Sequence, residues 1–278
     1  MRIAITGATG KVGRAVVACA LGDGHDVVGI DRVPPAPGGE APGVEYRLVD
    51  TTSHDDFESA ARGADALIHL AAYPSPRGNP DHEVFNNNAV SSYNALSIGV
   101  GLGMKRICQA SSVNAIGTSF SRRVRYDYLP LDEKHPTYNE DPYALSKWVC
   151  EAQADSFCRL HSDLAIASMR FSWVCESREA GIAGRSARGG VDTATKELWG
   201  YTVAAAAARA CVDSLTGSWF GSEAFYLIAP RTIATRPSAE LVAEHYPQVS
   251  LRRSLVGDQG LYDCSKAERL LGWRHPAD

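Results

Sequence analysis

An apolar run at residues 2–6 leads directly into Thr6-Gly7-Ala8-Thr9-Gly10-Lys11-Val12-Gly13, and helical periodicity takes over within the same segment. Glycines spaced G-x-x-G-x-x-G after a strand let the backbone turn sharply, approach a pyrophosphate and pack the next helix against the sheet. The N–H groups of that helix's first turn then face phosphate oxygens. Gly7, Thr9, Gly10, Lys11, Val12 and Gly13 are therefore the expected contacts of a nucleotide diphosphate. A bare strand-to-helix turn would use the same glycines, so the reading needs a second residue.

Asp31 is that residue. It ends the next apolar run, 26–30, eighteen positions after Gly13. A carboxylate there accepts hydrogen bonds from ribose hydroxyls and repels a 2'-phosphate, so NAD is expected and NADP less so. Arg32 and Lys11 are cations able to pair with a 2'-phosphate, and they leave that preference open.

At 278 residues with a net charge of -4 and interspersed signs, the chain can bury a sizeable core and carries no basic footprint for nucleic acid or an anionic membrane. A small-molecule partner is expected. The seven cysteines (19, 108, 150, 158, 175, 211 and 264) form no C-x-x-C pair, and the eight histidines form no metal-ligand spacing, so no metal is expected. Residue 2 already belongs to a strand-like run, and the alanines of 204–208 end at Arg209, far short of a membrane span. A soluble cytoplasmic protein is the expectation.

Strand-like runs recur at 2–6, 26–30, 44–49, 66–70, 106–110 and 165–170, with helical stretches at 12–21, 55–61, 83–102 and 143–161. That alternation predicts a doubly wound α/β (Rossmann) parallel sheet. The Pro/Gly-rich stretch 33–43 reads as a surface loop and the glycine- and arginine-rich stretch 176–195 as a mobile loop over a site. A helix at 199–215, a strand at 224–228 and helices at 238–245 and 265–271 follow. The expected division is a nucleotide-binding domain, 1–171, and a small substrate-capping region, 172–278, with elements returning to the main sheet.

Asp141-Pro142-Tyr143-Ala144-Leu145-Ser146-Lys147 reads as a helix start. It puts Tyr143 and Lys147 one turn apart on one face. A nearby ammonium favours phenolate, which is what an acid/base acting on an alcohol requires. Ser111 and Ser112 follow the run 106–110, at a strand end where open parallel sheets bind ligands, and either hydroxyl is placed to polarise a substrate oxygen. The residues alone do not choose between them.

These motifs, with V-D-T at 49–51, H-L-A-A at 69–72, Asn88 and Asn94, S-S-x-x-x-x-G at 111–117, Y-A-L-S-K at 143–147 and L-G-W at 271–273, resemble the extended short-chain dehydrogenase/reductases, which include NAD-dependent epimerases, dehydratases and uronate dehydrogenases. The resemblance implies Tyr143 as acid/base, Lys147 as its partner and ribose ligand, and Ser112 as the polarising hydroxyl. It further implies Asp50 and Thr51 near the adenine, Leu70, Ala71 and Ala72 under the cofactor, Asn88 near its phosphates, and Ala110 and Arg170 as further cofactor neighbours. Ser111, Ser112, Asn114 and Trp173 are the candidate substrate contacts, and Arg185, Arg188 and Lys196 candidate ligands of a substrate carboxylate. Arg170-Phe171-Ser172-Trp173-Val174-Cys175-Glu176-Ser177 departs from the R-P-x-x-x-x-G-P passage of many relatives, and Val113-Asn114 replaces the Asn-His of uronate dehydrogenases. The function expected is hydride transfer between NAD and a secondary alcohol or hemiacetal of a sugar-like molecule. An epimerase or dehydratase holding its NAD, and a dinucleotide sensor without chemistry, are the alternatives. Helices 83–102 and 143–161, which family members commonly pair between subunits, predict a homodimer.

Overall fold

In the computed structural model, which describes residues 1–187, 190 and 194–276, runs of β-branched and small apolar residues become the central strands, buried on both faces. The strands are β1 (Arg2–Thr6), β2 (Asp26–Asp31), β3 (Glu45–Leu48), β4 (Ala66–His69), β5 (Arg106–Ser112), β6 (Tyr128–Leu129), β7 (Ala165–Phe171), β8 (Trp173–Cys175), β9 (Tyr201–Val203), β10 (Gly221–Tyr226) and β11 (Ser250–Leu251). The helices are α1 (Lys11–Gly22), α2 (His54–Ala61), α3 (Asp81–Gly101), α4 (Pro142–Leu160), α5 (Arg178–Ser186), α6 (Ala204–Asp213), α7 (Ser238–His245) and α8 (Ser265–Leu271).

The main sheet runs β3-β2-β1-β4-β5-β7-β10, and every neighbouring pair is parallel. Successive side chains alternate between its faces. Ile3 and Ile5 join the core under α1, α6 and α8, whereas Ala4 joins the core under α2, α3 and α4. Each such Ile contributes about 1.5–3 kcal/mol by leaving water. The strand order reverses between β1 and β4, and that switch point opens a crevice at the strands' C-terminal ends. The Rossmann architecture expected from the alternation is present.

Two C-terminal expectations are corrected. The segment 199–215 is not one helix: Leu198 and Trp199 adopt φ of 52° and 54°, which a helix cannot continue, and Tyr201–Val203 pairs with β8 before α6 begins. Nor is 176–195 all loop, because Arg178–Ser186 forms a helix whose Ser177 hydroxyl accepts the Ala180 N–H at 3.2 Å. The signal was faint because that helix buries only Gly181. A third core, rich in aromatic rings such as Tyr126, Trp199, Tyr226 and Tyr262, fills the C-terminal side.

Candidate active site

The glycine loop is shaped by close approach. Gly7 has φ of 65°, and a Cβ on it would stand 2.9 Å from Ala71 N; a Cβ on Gly13 would overlap the Gly7 carbonyl oxygen. Thr6 joins this turn to the neighbouring strand: its hydroxyl accepts the N–H groups of Leu70 and Ala71 at 3.0 and 3.1 Å and lies 2.8 Å from His69 Nδ1. With both acceptor positions taken, Thr6 must donate to His69. Gly10, the α1 N-cap, offers no side-chain cap, and the first turn holds no acidic residue. The amides of Lys11, Val12 and Gly13 thus form a cradle that fits a diphosphate.

Asp31 ends β2 beside this loop. Its Oδ2 accepts from Thr9 N at 3.0 Å and from the Thr9 hydroxyl at 2.8 Å. The two cations near it, Arg32 and Lys11, line the same cleft, and each has a partner. The Arg32 guanidinium lies 4.8 Å from the Tyr73 ring centroid and donates to its hydroxyl, and Lys11 Nζ donates to Val174 O at 3.3 Å. Asp50 accepts from Thr52 N and the Thr52 hydroxyl, which hold its carboxyl below its usual pKa, and Asn94 fastens the carbonyl of Thr51 at 3.0 Å.

A cleft of about 910 Å³ joins these groups to the chemistry, lined by Gly7, Asp31, Asp50, Thr51, Leu70, Ala71, Ala72, Ala110, Ser112, Tyr143, Lys147 and Trp173 among others. Helix α4 starts here because Asp141 accepts the Ala144 N–H at 2.9 Å and Pro142 occupies the first turn. Lys147 Nζ donates to Ala110 O at 2.8 Å and stands 5.9 Å from the Tyr143 ring centroid. Burial dominates the phenol: it drives the Tyr143 pKa up to about 12, and its hydrogen bond with Ser112 pulls it down. Burial also lowers the Lys147 pKa.

The two serines separate. The Ser111 hydroxyl donates to Glu151 Oε1 at 2.5 Å, while Ser112 turns to Tyr143 and Asn114. Arg170 does not line the cleft; it donates to both Glu151 oxygens at 2.8 and 2.7 Å, because a buried guanidinium needs that carboxylate. Asn88 likewise stays behind the wall of the cleft. It accepts from Tyr73 N at 2.8 Å and donates to Tyr73 O and Ser146 Oγ, fastening the loop after β4 to α4.

Of the candidate carboxylate ligands, Arg185 stacks over Trp173 at 4.2 Å and forms an ion pair with Glu197; Lys196 donates to Ser121 O at 2.6 Å; Arg188 falls outside the described residues. Phe120 is a residue the sequence did not flag. Its ring meets Tyr143 edge-on at 5.9 Å, and Arg77 lies 5.7 Å above it. Its only sequence signal is its place on the loop that follows a strand's C-terminal end. Among the described residues, no group of three or more His, Cys, Asp or Glu side chains could hold a metal ion, and no helix is long and apolar enough to cross a membrane.

The sheet, the glycine cradle and the Tyr143–Lys147–Ser112 set define an NAD-dependent enzyme of the extended short-chain dehydrogenase/reductase class. Residues 3–188 match the model of the NAD dependent epimerase/dehydratase family, and the chain belongs to that family. It is 28% identical over 184 residues to the L-arabinose 1-dehydrogenase (NAD(P)(+)) of Haloferax volcanii, spanning 64% of this chain and 69% of that one. It is also 28% identical over 177 residues to the dTDP-6-deoxy-L-talose 4-dehydrogenase (NAD(+)) of Aggregatibacter actinomycetemcomitans, spanning 63% of this chain and 62% of that one. The solved UDP-glucose 4-epimerase of Thermotoga maritima with UDP-glucose shares the fold, with a TM-score of 0.75 at 18% identity over 100% of this chain and 94% of that one.

Proposed function

We propose that this chain oxidises or reduces a sugar-like small molecule, moving hydride between nicotinamide and a secondary alcohol or hemiacetal carbon. The observation that carries the reading is the buried Tyr143–Lys147–Ser112 set, sharing one cleft with the glycine cradle and Asp31. Gly7, Gly10, Gly13 and Asp31 would hold NAD, which supplies a hydride acceptor when bound. In oxidation Tyr143 takes the hydroxyl proton, Ser112 donates a hydrogen bond to the substrate oxygen, and Lys147, one turn on, is the charge that favours phenolate. In reduction the phenol, with a pKa raised to about 12, holds the proton it must deliver. A sensor would need the cradle but not this acid/base pair. Asp31, anchored by Thr9, and the commitments of Arg32 and Lys11 favour NAD over NADP.

We assign the chain to the cytoplasm, residues 1–171 to cofactor binding and 172–278 to capping the substrate. We also propose a homodimer through α3 and α4, whose apolar residues Val90, Tyr93, Leu145 and Trp148 stay exposed on this subunit. The test of function is a panel of aldoses, uronates and nucleotide sugars with NAD, read as NADH. Production with one of the free sugars, abolished in Tyr143→Phe while NAD still binds, is the expected result. NAD retained through purification, with nucleotide-sugar isomerisation and no net NADH, would move the chain to the epimerases.

A further inference from the structure

We infer that Asn114 is a positioning residue that makes Ser112 a pure hydrogen-bond donor toward Tyr143 and the substrate oxygen. Its catalytic consequence rests on the oxidoreductase reading, whereas the geometry stands alone.

The orientation of the Asn114 amide is settled by its partners. One amide atom lies 2.8 Å from Ser119 N, and a backbone N–H only donates, so that atom is the carbonyl oxygen Oδ1. The Thr118 hydroxyl donates to the same oxygen at 2.7 Å. The NH2 end is thereby turned to Ser112, with Nδ2 3.2 Å from Ser112 Oγ. A second donor arrives from the backbone, Asn114 N, at 3.1 Å. Both come from one residue because Val113–Ile116 forms a 3-10 turn capped by Ser112.

A hydroxyl oxygen accepts two hydrogen bonds and donates one. Asn114 fills both acceptor positions, so the one proton of Ser112 is left to be donated into the cleft that Ser112 shares with Tyr143. Ser112 is consequently unable to accept the proton of a substrate hydroxyl. With NAD bound as hydride acceptor, oxidation of an alcohol would send the hydroxyl proton to Tyr143 while Ser112 donates to the forming carbonyl oxygen. In reduction the proton returns from Tyr143, with the same polarity at Ser112. Asn114 therefore acts through Ser112, not as a substrate contact.

Two measurements test this. Neutron diffraction from deuterium-exchanged crystals should show the Ser112 deuteron directed to Tyr143 and two deuterons at Asn114 Nδ2; a Ser112 deuteron aimed at Asn114 overturns the inference. The second is Asn114→Asp, which presents an acceptor where Ser112 meets a donor and draws its proton inward. With a free sugar turned over by the wild type, kcat should fall about 100-fold, the scale of losing one oxyanion donor, with KM and NAD affinity little changed. Its activity should partly recover at acid pH as the introduced carboxyl becomes a donor, and Asn114→Ala, which keeps the backbone donor, should lose less. Wild-type kcat and pH profile in Asn114→Asp, or a larger loss in Asn114→Ala, overturn the inference. Should Asn114→Asp fail to fold, Asn114→Ala and the neutron map decide. If the wild type oxidises no sugar the function proposed above falls, and the Ser112 deuteron alone decides this one.

Discussion

A carboxylate held on one oxygen by two donors of a single residue cannot swing aside. Asp31 is in that position, with Thr9 supplying both its N–H and its hydroxyl. The side chain is thus set to meet a ribose diol and to repel a 2'-phosphate. Thr9→Val keeps the shape and removes one charge-assisted hydrogen bond, worth about 1.5–3 kcal/mol. The wild type should bind NAD more tightly than NADP by calorimetry; Thr9→Val should narrow that gap roughly tenfold, about 1.4 kcal/mol, and Asp31→Ala should narrow it further. Equal affinities in the wild type would show that Arg32 or Lys11 outweighs the carboxylate. The importance of Asp31 was legible from its distance to the glycine loop. That Arg32 stacks on Tyr73, 41 positions away, was not, because a long cation chooses its partner only after the fold has brought one near. Arg170 shows the same effect: the family resemblance suggested the cofactor, but in the fold Glu151 on α4 claims it.

Between elements, the contact of β1 with β4 contains a titratable group with nowhere to put a second proton. Thr6 donates to His69 Nδ1, so the ring is neutral with its proton on Nε2. Burial, with a smaller contribution from the Lys147 charge, lowers its pKa from 6.5 to about 3. The unfolded chain takes up this proton near 6.5 and the folded chain not until about 3. Between those values the unfolded state binds more protons, and stability falls by about 1.4 kcal/mol for each unit of acidification on this account. Above pH 6.5 the full stability is present. Denaturant unfolding as a function of pH should show that slope, and His69→Gln, whose amide oxygen can accept from Thr6, should flatten it by one proton; an unchanged slope would remove His69 as its source. The strands and helices up to β7, apart from the two-residue β6, were readable because apolar runs or helical periodicity mark them. Elements α5 and β9 were not: α5 buries one glycine, and β9, three residues long, exists through its pairing with β8.

For the whole molecule, the proposed α3–α4 face offers a direct measurement. Trp148 and Tyr93 are 41% and 53% exposed, unusual for aromatic rings on helices that also pack on a sheet. Light scattering at micromolar concentration should give a dimer mass, and Trp148→Asp should shift it toward the monomer; a monomeric wild type would reject the assembly. The distribution of material after β7 bears on the substrate. Strand β10 extends the main sheet, α6 and α8 cover one of its faces, and the Arg185–Glu197 pair stands beside Trp173 in the cleft lining. The cleft of about 910 Å³ would have to hold NAD as well as substrate, which favours a single sugar-sized molecule beside the cofactor. UDP or GDP should therefore add no thermal stabilisation to the NAD-loaded protein. A ligand at 100 times its Kd stabilises the native state by about 2.7 kcal/mol, so binding at a real site would be visible. Saturating stabilisation by either nucleotide would mean that the C-terminal region does form a nucleotide pocket, and would favour an epimerase over a dehydrogenase of free sugars.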